Sequence, residues 1–174
     1  MRKSLKIVIT TICCISALGM AAIFGRVRIN TTPSYPVGIY LMTNAPIEKG
    51  AMVIFCPTDT AIFRQAKERG YIGAGFCPGG TGYMIKKIMA ATNDRVEFSG
   101  AGVSVNGELL SNSKSMDKDL EGRPLPHINI AVAVLDANSV LLMSDYNPKS
   151  FDARYFGLVD KSVIISAVRP VWVW

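Results

Sequence analysis

The stretch Val103-Ser104-Val105-Asn106-Gly107-Glu108-Leu109-Leu110 gives the clearest indication of how this chain folds. Strand-like residues stand on both sides of Asn106-Gly107, and Asn-Gly is the dipeptide that most favours the tight type I′ turn of a β-hairpin. The sequence therefore predicts two short antiparallel strands joined by this turn.

Strand-like segments recur on both sides of the hairpin. They are Met52–Phe55, Tyr83–Met89, Arg95–Phe98, Ile130–Leu135, Val140–Met143 and Ser162–Val168, with a further candidate strand at Arg169–Trp174. One helix is clear, Thr60–Arg69, which follows Asp59 as N-cap and stops at Gly70. The polar stretch Ser111–Pro126 is expected to be a surface loop. The pattern predicts a mostly β domain, a sheet or barrel with one short helix.

The basic residues are concentrated at the N-terminus. The chain has 174 residues and a net charge of +6, and five basic residues precede the first acidic one, Glu48. Beyond them, 14 basic and 13 acidic residues nearly cancel. The body of the protein therefore offers no broad basic face, which argues against a nucleic-acid partner.

An uncharged segment of 19 residues, Ile7–Gly25, lies between the basic residues. As a helix it would be about 28 Å long, close to the thickness of the hydrocarbon core of a bilayer. The sequence therefore predicts a cytoplasmic N-terminus over 1–6, a transmembrane helix over 7–25 and an exported domain over 26–174. Gly19 and Ala21 fit the −3 and −1 positions of a cleavable signal peptide. A retained anchor is the preferred interpretation, and cleavage stays open.

The cysteines and the single histidine restrict the cofactor chemistry. Cys13 and Cys14 lie inside the apolar segment, whereas Cys56 and Cys77 lie in the predicted exported part, where a disulfide is permitted. There is no CxxC spacing and only His127 as a histidine ligand, so we expect neither a metal site nor another cofactor.

A candidate nucleophile, Ser34, stands between Pro33 and Pro36 in an extended segment just beyond the apolar stretch. Such a serine could present its hydroxyl and backbone N–H to a substrate carbonyl. A plain proline-rich linker explains the same residues, and spacing alone does not decide between the two.

A candidate base is harder to assign from the residues. His127 follows Pro126 in the polar loop, a poor position for an oriented imidazole. A lysine buried in apolar surroundings can lose its proton and act as a base. On a strand over Tyr83–Met89, Lys86 and Lys87 would point to opposite faces, and periodicity does not say which is buried. Two solvated lysines are the alternative.

A third cluster, Ser144–Gly157, is dense in polar side chains between two apolar strands. A structural turn held by an Asp–Arg pair is enough to explain this cluster. Such a turn could also support an active site.

Together these clusters resemble the bacterial type I signal peptidases, and more closely their conjugative-transfer branch, the TraF peptidases. The resemblance extends from Ile29 to Gly157. Its four motifs, in order, are Ser-x-Pro-x-Gly-x-Tyr at 34–40, the strand segment at 50–57, Cys-Pro-Gly-Gly leading to Lys86-Lys87 at 77–87, and the box at 144–157 ending in Asp-x-Arg-Tyr-Phe-Gly.

The resemblance implies a Ser–Lys peptidase in a signal-peptidase-like β domain. Ser34 would attack the scissile carbonyl and Lys86 would accept its proton. The Ser34 N–H, helped by the Thr32 hydroxyl, would stabilise the oxyanion. Three further residues would support the lysine: Ser150 by a hydrogen bond, and Asp152 and Arg154 as a pair that fixes the turn.

The sequence also departs from typical leader peptidases. Tyr35-Pro36 follows the nucleophile in place of Met-x-Pro, and Ala90–Asp94 replaces the glycine-rich segment after the lysine. Ala153 and Ser144 replace a serine and a glycine of the last box. These changes put general leader-peptidase specificity in doubt. We also predict that a Cys56–Cys77 disulfide clamps the segment that contains the helix.

The resemblance implies a role in maturing a propilin for a conjugative transfer (type IV secretion) apparatus. The enzyme would sit in the bacterial inner membrane, in contact with lipid, with its active site in the periplasm. Whether the acyl-enzyme is hydrolysed or the pilin is cyclised stays open. One alternative is a general leader peptidase. Another is a non-catalytic, membrane-tethered pilus assembly protein, in which Ser34 and Lys86 would be dispensable.

Overall fold

The structure is a computed structural model that describes residues 2–128 and 132–174. Within these ranges the chain forms three α-helices and twelve strands. They are α1 (Arg2–Arg26), β1 (Val27–Asn30), β2 (Gly38–Thr43), β3 (Met52–Phe55), α2 (Ala61–Glu68), β4 (Ala74–Cys77), β5 (Met84–Ala90), β6 (Arg95–Ser99), β7 (Gly102–Val105), β8 (Glu108–Leu109), β9 (Ala133–Val134), β10 (Ser139–Met143), α3 (Ala153–Phe156), β11 (Val159–Asp160) and β12 (Ile164–Val173).

The predicted mostly β architecture is confirmed. Eleven of these strands form two sheets, one in the order β1-β2-β12-β3-β5-β10-β11 and a smaller one in the order β8-β7-β6-β9. The predicted hairpin joins β7 to β8, with Val105 opposite Glu108. Asn106 and Gly107 have φ values of 54° and 87°, as a type I′ turn requires.

Strand β5 lies inside the larger sheet, between β3 and β10. One of its faces packs on a cluster that contains Phe55, Ile88 and Leu142, and Ile85 on its other face packs with Tyr40. Because both faces of the strand are packed, its side chains are buried or half-buried. This is the environment in which Lys86 lies.

The predicted helix over Thr60–Arg69 forms as α2, with Thr60 rather than Asp59 as its N-cap. Its buried residues, Phe63 and Ala66, pack into the main core. The prediction of a single short helix was wrong, because α3 forms inside the polar cluster. Asp152 caps α3 by accepting a hydrogen bond from the N–H of Arg154.

The uncharged N-terminal segment forms part of α1, which leads directly into β1. No helix within the described residues is both long and apolar enough to cross a membrane. The transmembrane helix predicted over 7–25 is therefore unconfirmed.

The remaining differences concern strand boundaries. The strand predicted over Ile130–Leu135 falls partly on 129–131, outside the described residues, and its remainder forms β9. The two strands predicted over Ser162–Val168 and Arg169–Trp174 are one continuous strand, β12. Strands β1 and β2, on either side of Ser34, were not predicted.

Candidate active site

Ser34 lies in the loop that joins β1 to β2, residues 31–37, called here the serine loop. Asn30 and Gly38 face each other at its base. The buried side-chain amide of Asn30 donates to the carbonyl oxygens of Thr32, Tyr35 and Pro36, at 2.9, 3.1 and 3.2 Å. These bonds hold the loop against the sheet edge, so that the two prolines are part of a fixed turn rather than a linker.

Lys86 reaches the serine loop from the middle of β5. Its Nζ lies 2.8 Å from Ser34 Oγ and 2.9 Å from Ser150 Oγ. The two serine oxygens are 3.2 Å apart, so the three polar atoms form a closed triangle. The structure thus brings together the predicted nucleophile, base and supporting serine.

The two adjacent lysines occupy different environments. Lys86 is 1% exposed, whereas the half-buried Lys87 forms a 2.8 Å ion pair with Asp145. The question that strand periodicity left open is decided by this burial. Lys86 has only hydroxyl partners, and Lys87 keeps a carboxylate.

Burial lowers the pKa of Lys86 from its ordinary value of 10.5 to about 8. Desolvation is the main cause, since it penalises the ammonium form more than the neutral amine. The charge of Asp152 opposes this shift, and the charge of Arg154 adds to it. The amine next to Ser34 is therefore neutral over a pH range in which an exposed lysine is almost fully charged.

The segment 144–154, called here the support turn, is built around an ion pair with no exposed surface. Arg154 Nε and Nη2 donate to the two carboxylate oxygens of Asp152, both at 2.8 Å. Arg154 also donates to the carbonyl oxygens of Ser150 and Asn112, both at 2.9 Å. The predicted Asp–Arg turn is present, and it fixes the backbone that carries Ser150.

The support turn also binds the serine loop directly. Ser144 Oγ donates to the Ser34 carbonyl oxygen at 2.5 Å, and Asn147 Nδ2 donates to that of Pro33 at 2.8 Å. The Tyr35 hydroxyl donates to Asp145 at 2.9 Å. Burial raises the pKa of Tyr35, which keeps this phenol a donor.

Sequence reasoning missed the contributions of Asn30, Asn147 and Asp145. For Asn147 and Asp145, the one signal available in the sequence was the density of polar residues in 144–157. Their partners are more than 100 positions away in the chain, at 110 residues for Tyr35–Asp145 and 114 for Pro33–Asn147.

Thr32 contributes to this arrangement in a different way from the one predicted, and His127 lies outside it. The Thr32 hydroxyl, predicted to face an oxyanion, donates to Asn30 Oδ1 at 3.0 Å. His127 Nε2 lies 3.3 Å from Asp117, and both side chains are at least half exposed. Among the described residues no group of three or more His, Cys, Asp or Glu side chains could hold a metal ion.

Cys56 and Cys77 are joined in a disulfide, which closes the segment that contains α2. Cys56 follows β3 directly, and Cys77 precedes the turn that leads into β5. The two ends of the segment are thereby tied next to adjacent strands of the larger sheet.

The chemistry available to this arrangement is acyl transfer. A half-buried serine hydroxyl lies within hydrogen-bond reach of an amine that can be neutral, and a second hydroxyl orients the amine. A nucleophile, a base and a group that orients the base are the parts that nucleophilic catalysis requires.

A family model, several relatives and a solved structure match this chain. A family model described as signal peptidase, peptidase S26, matches residues 1–174. One plasmid transfer protein TraF of Escherichia coli is 51% identical over 157 residues, which cover 90% of this chain and 89% of that protein. A second E. coli protein of that name is 52% identical over 147 residues, covering 84% and 83%. The crystal structure of a signal peptidase I from Enterococcus faecalis V583 aligns with 72% of this chain and 98% of its own, at 16% identity and a TM-score of 0.40.

Proposed function

The chain belongs to the signal peptidase family, peptidase S26, and from this premise we propose that it is a Ser–Lys endopeptidase with Ser34 as nucleophile and Lys86 as general base. The observation that carries the proposal is the 2.8 Å separation of Ser34 Oγ from the Nζ of a lysine that is only 1% exposed. A solvated lysine at this distance would stay charged and could not accept a proton.

In the proposed first step, the neutral Lys86 amine takes the Ser34 proton as Oγ attacks the scissile carbonyl. The C–N bond then breaks, and Lys86 returns the proton to the leaving amine. In the second step Lys86 deprotonates a water, which attacks the acyl carbon. The bond from that carbon to Ser34 Oγ then breaks, and Lys86 returns the proton to Oγ. Ser150 holds the Nζ atom in line throughout.

The oxyanion is assigned to the Ser34 backbone N–H. The Thr32 hydroxyl would have to leave Asn30 to join it, because a hydroxyl has one proton to donate. We therefore propose that Thr32 acts mainly by holding the serine loop. Asp152 and Arg154 act through the backbone of the support turn and take no proton.

The substrate is proposed to be the precursor of an exported protein, in particular a propilin of a conjugative apparatus. The support for this substrate comes from the plasmid transfer proteins TraF, which are similar over most of their length. We further propose that α1 tethers the enzyme to the inner membrane with residues 26–174 in the periplasm. The same acyl-enzyme would allow cyclisation if the amine of the pilin reached it before water.

The test is the intact mass of a candidate propilin after co-expression with the wild-type chain, Ser34→Ala or Lys86→Met. The methionine side chain keeps most of the buried volume of Lys86 and removes the amine. Lys161→Ala, at an exposed lysine, is the matched control. We expect the wild type and the control to shorten the propilin and the other two variants to leave it intact.

The same experiment separates the alternatives. A product lighter than the hydrolysed one by one water indicates cyclisation. Processing that persists in both Ser34→Ala and Lys86→Met would reject the dyad and favour a non-catalytic assembly protein. Replacement of the host leader peptidase in vivo would favour general leader-peptidase activity.

A further inference from the structure

The two peptide units on either side of Ser34 are both held by the support turn. The carbonyl oxygen of Pro33 accepts a hydrogen bond from Asn147 Nδ2 at 2.8 Å. The carbonyl oxygen of Ser34 itself accepts one from Ser144 Oγ at 2.5 Å. The turn that carries Ser150 to Lys86 thus also sets the orientation of the backbone around the nucleophile.

The bond from Asn147 fixes the direction of a second group, the Ser34 N–H. The Pro33–Ser34 peptide bond is trans, and in a planar trans peptide the C=O and N–H vectors point in opposite directions. With the Pro33 oxygen directed at Asn147, the Ser34 N–H must point away from Asn147. No acceptor among the described residues bonds this N–H, which leaves it free for a ligand.

Further hydrogen bonds fix the orientations of the Asn147 and Ser144 side chains. Its Oδ1 accepts a hydrogen bond from the Lys149 N–H at 2.9 Å, so only its Nδ2 can face the Pro33 carbonyl. The N–H groups of Tyr146 and Asn147 donate to Ser144 Oγ at 3.2 and 3.1 Å, which directs the Ser144 proton to Ser34. Neither bond to the serine loop can reverse without breaking the turn.

We infer that Asn147 is a positioning residue that aims the Ser34 N–H at the developing oxyanion, with Ser144 holding the following peptide unit. This inference rests on the proposed Ser–Lys function and adds a residue to it. Asn147 touches neither Ser34 Oγ nor Lys86, so its removal should leave the base intact. The loss should fall on the transition state, because the oxyanion exists only there.

A purely structural asparagine would give a different result. Loss of a turn bond alone would lower the stability of the fold or weaken substrate binding. Misdirection of the N–H should lower kcat and leave KM nearly unchanged, because the ground-state carbonyl makes less use of the donor. The pH at which activity is half-maximal should also stay unchanged, since the Lys86 environment is untouched.

The experiment measures kcat, KM and the pH profile of the full chain in detergent, with the propilin as substrate. The variant is Asn147→Ala, and the matched control is Asn138→Ala. Asn138 is exposed, and its main-chain groups bond Asp136 and Lys161, which belong to neither the serine loop nor the support turn.

For Asn147→Ala we expect kcat to fall about 10- to 100-fold, less than or close to the cost of deleting an oxyanion donor. KM should change less than about threefold, and a boronic acid of the product peptide should bind more weakly by the same factor as kcat. Asn138→Ala should resemble the wild type. If Asn147→Ala does not fold, Asn147→Asp keeps the acceptor for the Lys149 N–H, removes the donor and adds a negative charge. Its kcat is then compared on the high-pH plateau, where Lys86 is neutral.

A wild-type kcat in Asn147→Ala or Asn147→Asp would overturn the inference, as would a change confined to KM or to the pH midpoint. If the wild type cleaves and Ser34→Ala does not, such a result leaves the proposed function intact. A wild type that does not cleave would overturn the proposed function, and this inference with it.

Discussion

At the scale of single residues, the proposed chemistry depends on how little water reaches Lys86. Its neighbours are the hydroxyls of Ser34 and Ser150, and Asp152, the carboxylate whose charge acts on Lys86, is paired with Arg154. An adjacent carboxylate would favour the charged form of the amine, and among the described residues Lys86 has none, whereas Lys87 is paired with Asp145. The difference between the two lysines is one of burial and partner, not of residue type.

This environment predicts how activity depends on pH. Only the neutral amine is a base, and burial lowers the pKa of Lys86 to about 8. Below that pH the neutral fraction falls about tenfold per unit, so kcat/KM should rise with slope one up to about pH 8 and then level off. A pH series of initial rates checks this. A rate that does not change with pH across this range would contradict Lys86 as the base.

Asp152 and Arg154 form a buried ion pair. A substitution that removes the charge of Asp152 and keeps the size of its side chain should therefore destabilise the fold. Asp152→Asn keeps the size of the side chain but leaves the Arg154 charge without a counter-ion in a site with no exposed surface. Removing one partner of a buried pair costs about 3–5 kcal/mol of unfolding free energy. Denaturant titration measures this loss.

The control is a pair of similar geometry at the surface. Asp59 and Arg64 lie 2.8 Å apart, and their side chains are about half exposed. Asp59→Asn should cost less than about 1 kcal/mol, because water screens the charges. Equal losses in the two variants would mean that burial of the Asp152–Arg154 pair has no special effect.

At the scale of elements, the serine loop depends on the close approach of β2 and β12. Gly38 ends the loop and lies opposite Val173, and the N–H of Trp174 donates to the carbonyl of Val37 at 3.0 Å. A Cβ at Gly38 would collide with the Trp172 carbonyl oxygen and would come 2.7 Å from Val173 Cα. Both obstacles are backbone atoms, which cannot rotate away.

Gly38→Ala is therefore expected to push the two strands apart at the base of the serine loop. Overpacking of this kind costs about 1–3 kcal/mol, and the shift of Ser34 from Lys86 should lower kcat as well. Gly73→Ala is the control, since nothing lies within 4 Å of the added Cβ. Thermal unfolding and initial rates of both variants check the prediction. A Gly38→Ala enzyme as stable and active as the control would contradict the role of this contact.

The elements also show which parts of the fold a sequence can reveal. The β7–β8 hairpin and β3 were predictable because local chemistry specifies them: an Asn-Gly turn in one case and a short apolar run in the other. Strands β1 and β2 were not, because their pairing is closed by Asn30 and Gly38 across a proline-containing loop. Helix α3 was missed because a four-residue helix depends on its Asp152 cap rather than on periodicity.

At the scale of the whole molecule, the site is made where distant segments of the chain meet. The resemblance identified Ser34, Lys86 and Ser150. The residues alone did not distinguish Lys86 from Lys87, because the burial of Lys86 depends on Ser34 and Ser150, which are distant from it in the chain. Asn30 and Asn147 act through bonds to backbone carbonyls, which leave no side-chain pattern in a sequence. Local sequence patterns do not predict the contacts between the serine loop and the support turn.

The disulfide connects this architecture to the compartment in which we propose the enzyme works. Cys56 and Cys77 are separated by 21 residues, and closing a loop of that length lowers the entropy of the unfolded chain, a stabilisation of about 3 kcal/mol. Such a bond persists outside the cytoplasm and is rare within it. Its state in cells therefore reports where residues 26–174 are located.

The last prediction counts the thiols of the full chain extracted from cells. Cys13 and Cys14 are free, so trapping with an alkylating agent in denaturant should add two labels, and reduction beforehand should raise the count to four. Cys56→Ser with Cys77→Ser should give two labels under both conditions and should unfold at lower denaturant concentration. Four labels without reduction would contradict both the disulfide and the proposed periplasmic location. Two labels in the wild type but no loss of stability in the double variant would keep the location and reject the stabilising role of the clamp.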